Sequence, residues 1–151
     1  MSTSRDRELT FAGVMLLANR MQSTYDAALG EVTLKQWLAL AVIARMPQPV
    51  PSTSVVAGAL GTTHQNVRKL LGALADKGLL TLAPSPDDAR ARAISLTPAA
   101  LAYFEENEHT GAQLLDTLFD GVPTDDIATC LRVLNAMSIN LTGAALTPSD
   151  A

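Results

Sequence analysis

Side chains that can read DNA are concentrated between residues 61 and 97. Gln65 and Asn66 carry amides that can pair bidentately with adenine, and Arg68 and Lys69 carry cations that can reach guanine or a phosphate. This stretch has five lysines and arginines against three aspartates, a local charge of +2, whereas the whole chain has a charge of −4. A basic patch on an acidic protein can still bind nucleic acid, because the contact surface determines how many counterions are released.

Hydroxyl and arginine side chains flank this group on both sides. Thr62 and Thr63 precede it and offer hydroxyls and helix-terminal amides to a phosphate. Arg90 and Arg92 alternate after a turn, so we expect them to share one face of a hairpin, where arginine suits a narrow minor groove. The alternatives are a solvated helix face and a solvated loop. The predicted DNA contacts are Thr62, Thr63, His64, Gln65, Asn66, Arg68, Lys69, Arg90 and Arg92.

A single amphipathic helix must position most of these groups. The pattern predicts a helix from Thr62 or Thr63 to Lys77, with Gly78 as its stop. Val67, Leu70, Leu71 and Leu74 fall on one side, whereas Gln65, Lys69, Gly72 and Asp76 fall on the other. Either Thr62 or Thr63 can be the N-cap of this helix. If Thr62 is the N-cap, Gln65 closes a capping box, and if Thr63 is the N-cap, Gln65 points outward.

A helix before this one and a hairpin after it complete the predicted lobe. A short helix from Ser52 to Leu60, burying Val55, Val56 and Leu60 and ended by Gly61, makes a helix-turn-helix with the next helix. Residues 79–82 and 93–96 read as two strands around a turn at residues 84–88. One of Asp87 and Asp88 is expected to orient an arginine by a charge-assisted hydrogen bond. Helix followed by hairpin predicts a winged helix-turn-helix.

Longer apolar helices surround this lobe and make the chain mainly α. We expect residues 1–7 to be frayed, a helix over 8–29 ended by Gly30, and a helix that begins at Thr33 with Gln36 as capping-box partner and ends before Pro47. Thr97 and Pro98 open a helix to about residue 119, and Pro123 opens a last helix, followed by a loose tail from Thr142. The predicted stripes are Leu34, Trp37, Leu38, Ala41 and Val42 in the second helix, Leu101, Phe104, Leu114, Leu115, Leu118 and Phe119 in the fifth, and Ile127, Leu131, Leu134, Met137, Ser138 and Leu141 in the sixth.

Composition excludes several classes of function. A single cysteine, Cys130, forms no intrachain disulfide, and we interpret it as a small buried apolar residue, with a redox-sensing thiol as the alternative. Two histidines, His64 and His109, are too few for a metal cluster, and no nucleophile is spaced with a base, so we predict neither an enzyme nor a cofactor. Without a signal peptide or an apolar run of membrane length, we expect a cytoplasmic protein that binds no membrane.

Several short motifs in and around the stretch from residue 61 to 97 together match a known family pattern. They are Leu60-Gly61-Thr62-Thr63, Val67, Leu70, Leu74, Lys77-Gly78-Leu79-Leu80, Pro86-Asp87-Asp88-Ala89-Arg90 and Ile94-Ser95-Leu96-Thr97. With these motifs the chain resembles the MarR family of bacterial regulators. The resemblance implies one domain over residues 1–151, with a winged helix-turn-helix lobe at 33–97 and dimerisation helices at 8–30 and 98–142. It also implies a homodimer, a pseudo-palindromic operator in double-stranded DNA, and a repressor released by a small aromatic effector.

Three positions in and near the wing differ from the family pattern. Leu82, Ala83 and Ala89 stand where the family often has arginines, so the wing is less basic than usual. This favours an alternative function, a ligand- or protein-binding module with weak or lost DNA binding. For the effector, Trp37, Tyr25 and Met21 can line a cleft, and the alternative is that they belong to the core.

Overall fold

A computed structural model describes residues 3–88 and 90–146, and this part of the chain contains six helices and one hairpin. The chain divides into two compact units, Met1–Thr110 and Gly111–Ala151. No single described helix is long and apolar enough to cross a membrane. The helices Ser4–Leu29 and Leu34–Ala44, which are bent by 86° at their junction, reach that length and apolar composition only as a pair. The elements are α1 (Ser4–Leu29), α2 (Leu34–Ala44), α3 (Thr53–Leu60), α4 (His64–Asp76), β1 (Leu80–Pro84), β2 (Arg92–Leu96), α5 (Pro98–Leu118) and α6 (Thr124–Thr142).

Helix α1 begins earlier than the sequence predicts. Thr3 is its N-cap and forms a reciprocal capping box with Asp6, so the expectation of a frayed segment is wrong for residues 3–7. Met1 and Ser2 lie outside the described residues. The backbone N–H and then the hydroxyl of Thr3 donate to the Asp6 carboxylate and lower the pKa of Asp6. Gly30 ends the helix at φ 67°, as predicted, because glycine adopts positive φ without steric cost.

Helix α2 has the predicted cap but a different buried face. Thr33 and Gln36 form the capping box, and the helix ends before Pro47. The predicted stripe is wrong: Leu38 is 46% exposed, and Trp37 is half-buried. Nearly every position of this helix is apolar, so hydrophobicity does not indicate which side faces the core. The buried residues are Gln36, Ala39, Leu40 and Ile43.

Residues 45–52, which join α2 to α3, are hydrogen-bonded to the hairpin. Val50 forms an antiparallel bridge with Ile94, and the Gln48 Oε1 atom accepts a hydrogen bond of 2.8 Å from the Leu96 N–H. Helix α3 buries Val56 and Ala57, while Val55 is 43% exposed, so the prediction for Val55 is wrong. Gly61 ends α3 in the left-handed conformation, as predicted.

The recognition segment follows its predicted order. Val67, Leu71 and Leu74 are buried and Leu70 is half-buried, which confirms the apolar side of α4. The strands pair in antiparallel register from Leu80 opposite Leu96 to Pro84 opposite Arg92. They extend closer to the tip than predicted, and Pro84 belongs to β1 rather than to the turn.

One core holds the first unit together. It joins α2, α3, α4, both strands and the first turns of α5, which contributes Ala100 and Tyr103. The largest fully buried side chains are Leu40, Ile43, Leu71, Leu74, Ile94, Val32, Val50, Val56 and Val67. This core fixes the recognition helix and the hairpin on the same lobe.

The second unit leaves its apolar side chains exposed. Within α6, whose residues are all described, no side chain is buried, and Leu131 and Leu141 are exposed. Leu115 in α5 and Phe119 just after it are exposed, as is Leu101 in the part of α5 that belongs to the first unit, so these members of the predicted stripe are not buried within one copy of the chain. The described part of the expected loose tail is hydrogen-bonded to α6: the Ser138 hydroxyl donates to the Ala144 carbonyl at 2.8 Å.

Candidate nucleic-acid interface

The exposed side of α4 is arranged as a ridge with two flanks. With Val67 placed at 0° and about 100° per residue, Arg68 falls at about 100°, Gln65 at about 160°, Lys69 at about 200° and Asn66 at about 260°. All four are exposed, as is Arg90 in the loop between β1 and β2. Gln65 and Lys69 therefore occupy the crest, and Arg68 and Asn66 occupy opposite flanks.

The N-cap of α4 is Thr63, which decides between the two predicted caps. Its hydroxyl oxygen accepts a hydrogen bond of 3.2 Å from the Asn66 backbone N–H. Gln65 therefore does not close a capping box with Thr62, and its side chain lies on the crest. The Asn66 amide donates to the Thr62 hydroxyl at 3.3 Å, which uses one of the two hydrogens on its amide nitrogen. The other hydrogen and the amide oxygen remain for a base edge.

A groove of about 420 Å³ runs between α4, the start of α3 and the hairpin. Arg68 from α4 lines it together with Arg90 and Arg92 from the hairpin. The tertiary structure thus brings together cations that are more than twenty positions apart in the sequence. His64 and Asp88 also line this groove, as do the hydroxyl-bearing residues Ser52, Thr53 and Ser54.

The hairpin tip is held by hydrogen bonds within the loop. The Arg90 backbone N–H donates to the Asp88 carboxylate at 2.9 Å, and the Ala91 N–H donates to the Asp88 carbonyl at 3.0 Å. Asp88 therefore orients Arg90 through its backbone, whereas the prediction was a bond to the arginine side chain. Ala89, one of the departures from the family pattern, lies outside the described residues.

A second cleft, of about 470 Å³, lies on the other flank of α4. Asn66 and Lys69 line it together with Thr62, which precedes the helix, and Lys35 and Leu38 from α2 contribute the facing side. Sequence reasoning missed Lys35 and residues 52–54 as neighbours of the ridge. The hydroxyl run at 52–54 just before a helix was a usable signal, whereas nothing in the sequence pairs Lys35 with Lys69.

The predicted effector residues lie apart from both clefts. Met21, Tyr25 and Trp37 are half-buried, and Trp37 packs against the core of the first unit. Neither cleft described above is lined by any of them. Cys130 is exposed on α6, so its interpretation as a buried apolar residue is wrong. In the described part of the chain, His, Cys, Asp and Glu form no group of three that could hold a metal ion.

Comparison with known proteins gives the same fold. A family model described as MarR family matches residues 31–91. A MarR/EmrR family transcriptional regulator from Acinetobacter sp. superposes with a TM-score of 0.76 at 18% identity, covering 93% of this chain and 99% of that one. MepR of S. aureus, solved as a DNA complex, gives 0.74 at 21% identity, with coverage of 89% and 99%. PcaV of Streptomyces coelicolor, solved with its natural ligand, gives 0.69 at 19% identity, with coverage of 81% and 89%.

These matches confirm the predicted fold, a mainly helical winged helix-turn-helix. The matched segment runs through the recognition helix and β1 to the loop of the hairpin, less than half of the chain, and over this segment the chain is similar to the MarR family.

Proposed function

We propose that this protein is a sequence-specific transcriptional regulator that binds double-stranded DNA as a homodimer. The observation that carries the proposal is the convergence of Arg68, Arg90 and Arg92 on one groove beside the exposed ridge of α4. In this arrangement α4 lies in the major groove, with Gln65 and Lys69 at base edges. The arginines of the groove contact phosphates or the adjacent minor groove.

Charge and fold support this assignment. The stretch from residue 61 to 97 is basic, whereas the whole chain is acidic. DNA is therefore attracted to the face that carries this stretch and repelled by the rest of the protein. Thr62, Thr63 and His64 at the start of α4 lie where backbone amides and the helix dipole favour a phosphate. The fold is shared with MepR, which was solved as a DNA complex.

The exposed apolar side chains of α1 support a homodimer. Leu9 and Phe11 are 60% and 69% exposed, and Met15 and Leu16 are exposed one turn further on. Apolar patches of this kind on a single copy usually mark an interface. We propose that a second copy of the chain covers them and places two recognition helices one turn of DNA apart on a pseudo-palindromic operator.

We propose further that the protein is a repressor released by a small aromatic molecule. Support comes from the shared fold of PcaV, which was solved with its natural ligand. We propose that Met21, Tyr25 and Trp37 contact this effector.

A second candidate function is a ligand- or protein-binding module with weak or lost DNA binding. Leu82, which lines the groove in place of an arginine, favours it, because a missing cation removes a phosphate contact.

The test is selection of duplexes from a randomised DNA library, followed by binding to the selected duplex and to a scrambled duplex of equal composition. We expect the selected duplex to bind at least about 10³-fold more tightly. Affinity for both should fall between about 50 and 200 mM salt, because phosphate contacts release counterions. Enrichment of no sequence, with equal binding of both duplexes, would contradict the regulator and favour the binding module. Sedimentation velocity on the same sample tests the dimer.

A further inference from the structure

A single lysine fixes the C-terminal end of α4 to the corner between α1 and α2. The Lys77 ammonium donates to the backbone carbonyl of Glu31 and, at 2.8 Å, to the side-chain oxygen of Gln36. These acceptors lie 46 and 41 positions away in the sequence. Gln36 is buried in α2, and the Lys77 side chain, which is itself exposed, reaches it from the end of the recognition helix.

The acceptor oxygen of Gln36 also belongs to the cap of α2. The same Oε1 atom accepts the Thr33 N–H at 3.2 Å, and the neighbouring Leu34 N–H donates to the Asp26 carboxylate of α1 at 2.7 Å. A continuous set of polar contacts thus runs from α1 through the start of α2 to the end of α4. We call Asp26, Glu31, Gln36 and Lys77 the α4 clamp.

The residue after Lys77 is held from the opposite direction. The Gly78 carbonyl accepts a hydrogen bond of 2.7 Å from the Thr97 hydroxyl, and Thr97 in turn caps the start of α5 by accepting the Ala100 N–H at 3.3 Å. The end of α4 is therefore joined to the starts of both α2 and α5. Its other end, at His64 and Gln65, is exposed and carries the base-reading side chains.

Helix α4 is thus held at its C-terminal end by polar contacts, in addition to the core packing of Val67, Leu71 and Leu74. Its 13 residues span about 20 Å at 1.5 Å per residue. A change in tilt of about 10° at the clamped end moves the base-reading end by about 3 Å, which is as long as a hydrogen bond. In the proposed DNA complex such a shift would break base contacts, whereas flexible lysine and arginine side chains would keep their phosphates.

The corner also faces an unsatisfied group on α5. The Tyr103 hydroxyl is buried and has no hydrogen-bond partner among the described residues. Burial raises the pKa of Tyr103, and the negative charge of the nearby Glu31 carboxylate raises it further by a smaller amount. Buried hydroxyls are rarely left unpaired, so Tyr103 is an exception within the core of the first unit.

We infer that Lys77 is a positioning residue: the α4 clamp sets the tilt of the recognition helix and thereby the position of its base-reading side chains. The inference rests on the proposed DNA-binding function and adds a residue that acts through α4 and not by contact with DNA. The inference assigns two properties of DNA binding to different residues. The clamp controls discrimination between sequences, and the arginines control the sequence-independent attraction to DNA.

The test compares Lys77→Met, Lys77→Arg and the control Arg45→Met, which removes an exposed cation at the end of α2 that lines neither cleft. Binding is measured to the selected duplex and to its scrambled version over a range of salt concentrations. We expect Lys77→Met to lower the affinity for the selected duplex about tenfold. Its affinity for the scrambled duplex and its salt dependence should match those of Arg45→Met. Lys77→Arg keeps donors for both acceptors and should retain the wild-type ratio of the two affinities.

Equal losses on both duplexes with a flatter salt dependence would make Lys77 a phosphate contact and overturn the inference, as would an unchanged ratio. Hydrogen exchange without DNA provides a second measurement. Lys77→Met should accelerate exchange of the backbone amides of residues 74–79 relative to Arg45→Met, and unchanged exchange would also overturn the clamp. If Lys77→Met does not fold, Gln36→Met against Gln36→Glu tests the same contact. If the wild type prefers no duplex, the proposed function fails, and exchange still decides the clamp.

Discussion

The winged-helix lobe and the helix α1 use similar apolar residues in opposite ways. In the lobe, Leu40 and Leu74 are fully buried within one copy of the chain. In α1, Leu9 and Phe11 are mostly exposed, and of the helix's residues only Leu29 is buried. Burying a leucine side chain contributes roughly 1.5–3 kcal/mol, so the two regions obtain their stability from different sources. The lobe folds around its own core, and α1 is expected to need a second copy.

The largest expected effect is in the lobe core. Leu40→Ala should lower the free energy of unfolding by about 2–5 kcal/mol, because a cavity remains in a packed interior. The neighbouring Leu38, which is 46% exposed on the same helix, is the matched control. Denaturant unfolding measures both, and we expect Leu38→Ala to stay within about 0.5 kcal/mol of wild type. Equal losses at the two positions would show that the core of α2 is assigned to the wrong side.

The next effect concerns α1 and sharpens the other half of the comparison. Phe11→Ser should raise the dissociation constant of the homodimer by about 30-fold or more, since central aromatic residues dominate interfaces. Sedimentation velocity over a range of protein concentrations gives this constant. Arg45→Ser, at the exposed end of α2, is the control and should leave it nearly unchanged. A wild-type protein that is monomeric at all concentrations would contradict the proposed dimer.

Within the lobe, two substitutions separate base reading from phosphate binding. Gln65→Ala should relax discrimination at particular base pairs, at a cost of about 1–3 kcal/mol, because it removes a bidentate contact. Arg90→Ala should weaken all sequences about equally and reduce the salt dependence by about one unit per contact. Fluorescence anisotropy with the selected and scrambled duplexes measures both variants. Identical behaviour of the two would show that the crest and the groove have been assigned the wrong roles.

The smallest effect is at the cap of α4. Thr63→Ala should cost about 1 kcal/mol of stability, because the Asn66 N–H loses its acceptor at the start of the helix. Thr62→Ala, which removes only a bond to the Asn66 side chain, is the control and should cost less. Thermal unfolding followed by circular dichroism measures both. If Thr62→Ala were the more harmful change, the cap would lie one residue earlier than in this structure.

Local signals explain why much of the fold could be predicted. Capping boxes and glycine stops depend on backbone hydrogen bonds within a few residues, so Thr33 with Gln36, Gly30 and Gly61 were read correctly. The buried side of α4 was also predicted, because polar and apolar residues alternate there with helical spacing. The exposed ridge was found by the same contrast.

The errors occur where that contrast is absent or where partners are distant. Helix α2 is apolar on every side, so its buried face depended on which neighbours pack against it. Val50 pairs with Ile94, which lies 44 positions later, and no local pattern records a partner at that distance. The start of α1 was missed because the Thr3 and Asp6 capping box lies in a polar segment without an apolar stripe.

The sequence by itself determined the order of the elements, the helix stops and the side of α4 that carries Gln65 and Lys69. These follow from interactions between residues at most a few positions apart, which a linear pattern records. Only the tertiary structure decided that Arg68 shares a groove with Arg90 and Arg92, and that Lys77 binds the α1–α2 corner. Such contacts join segments far apart in the chain, and they form because packing of one shared core brings those segments together.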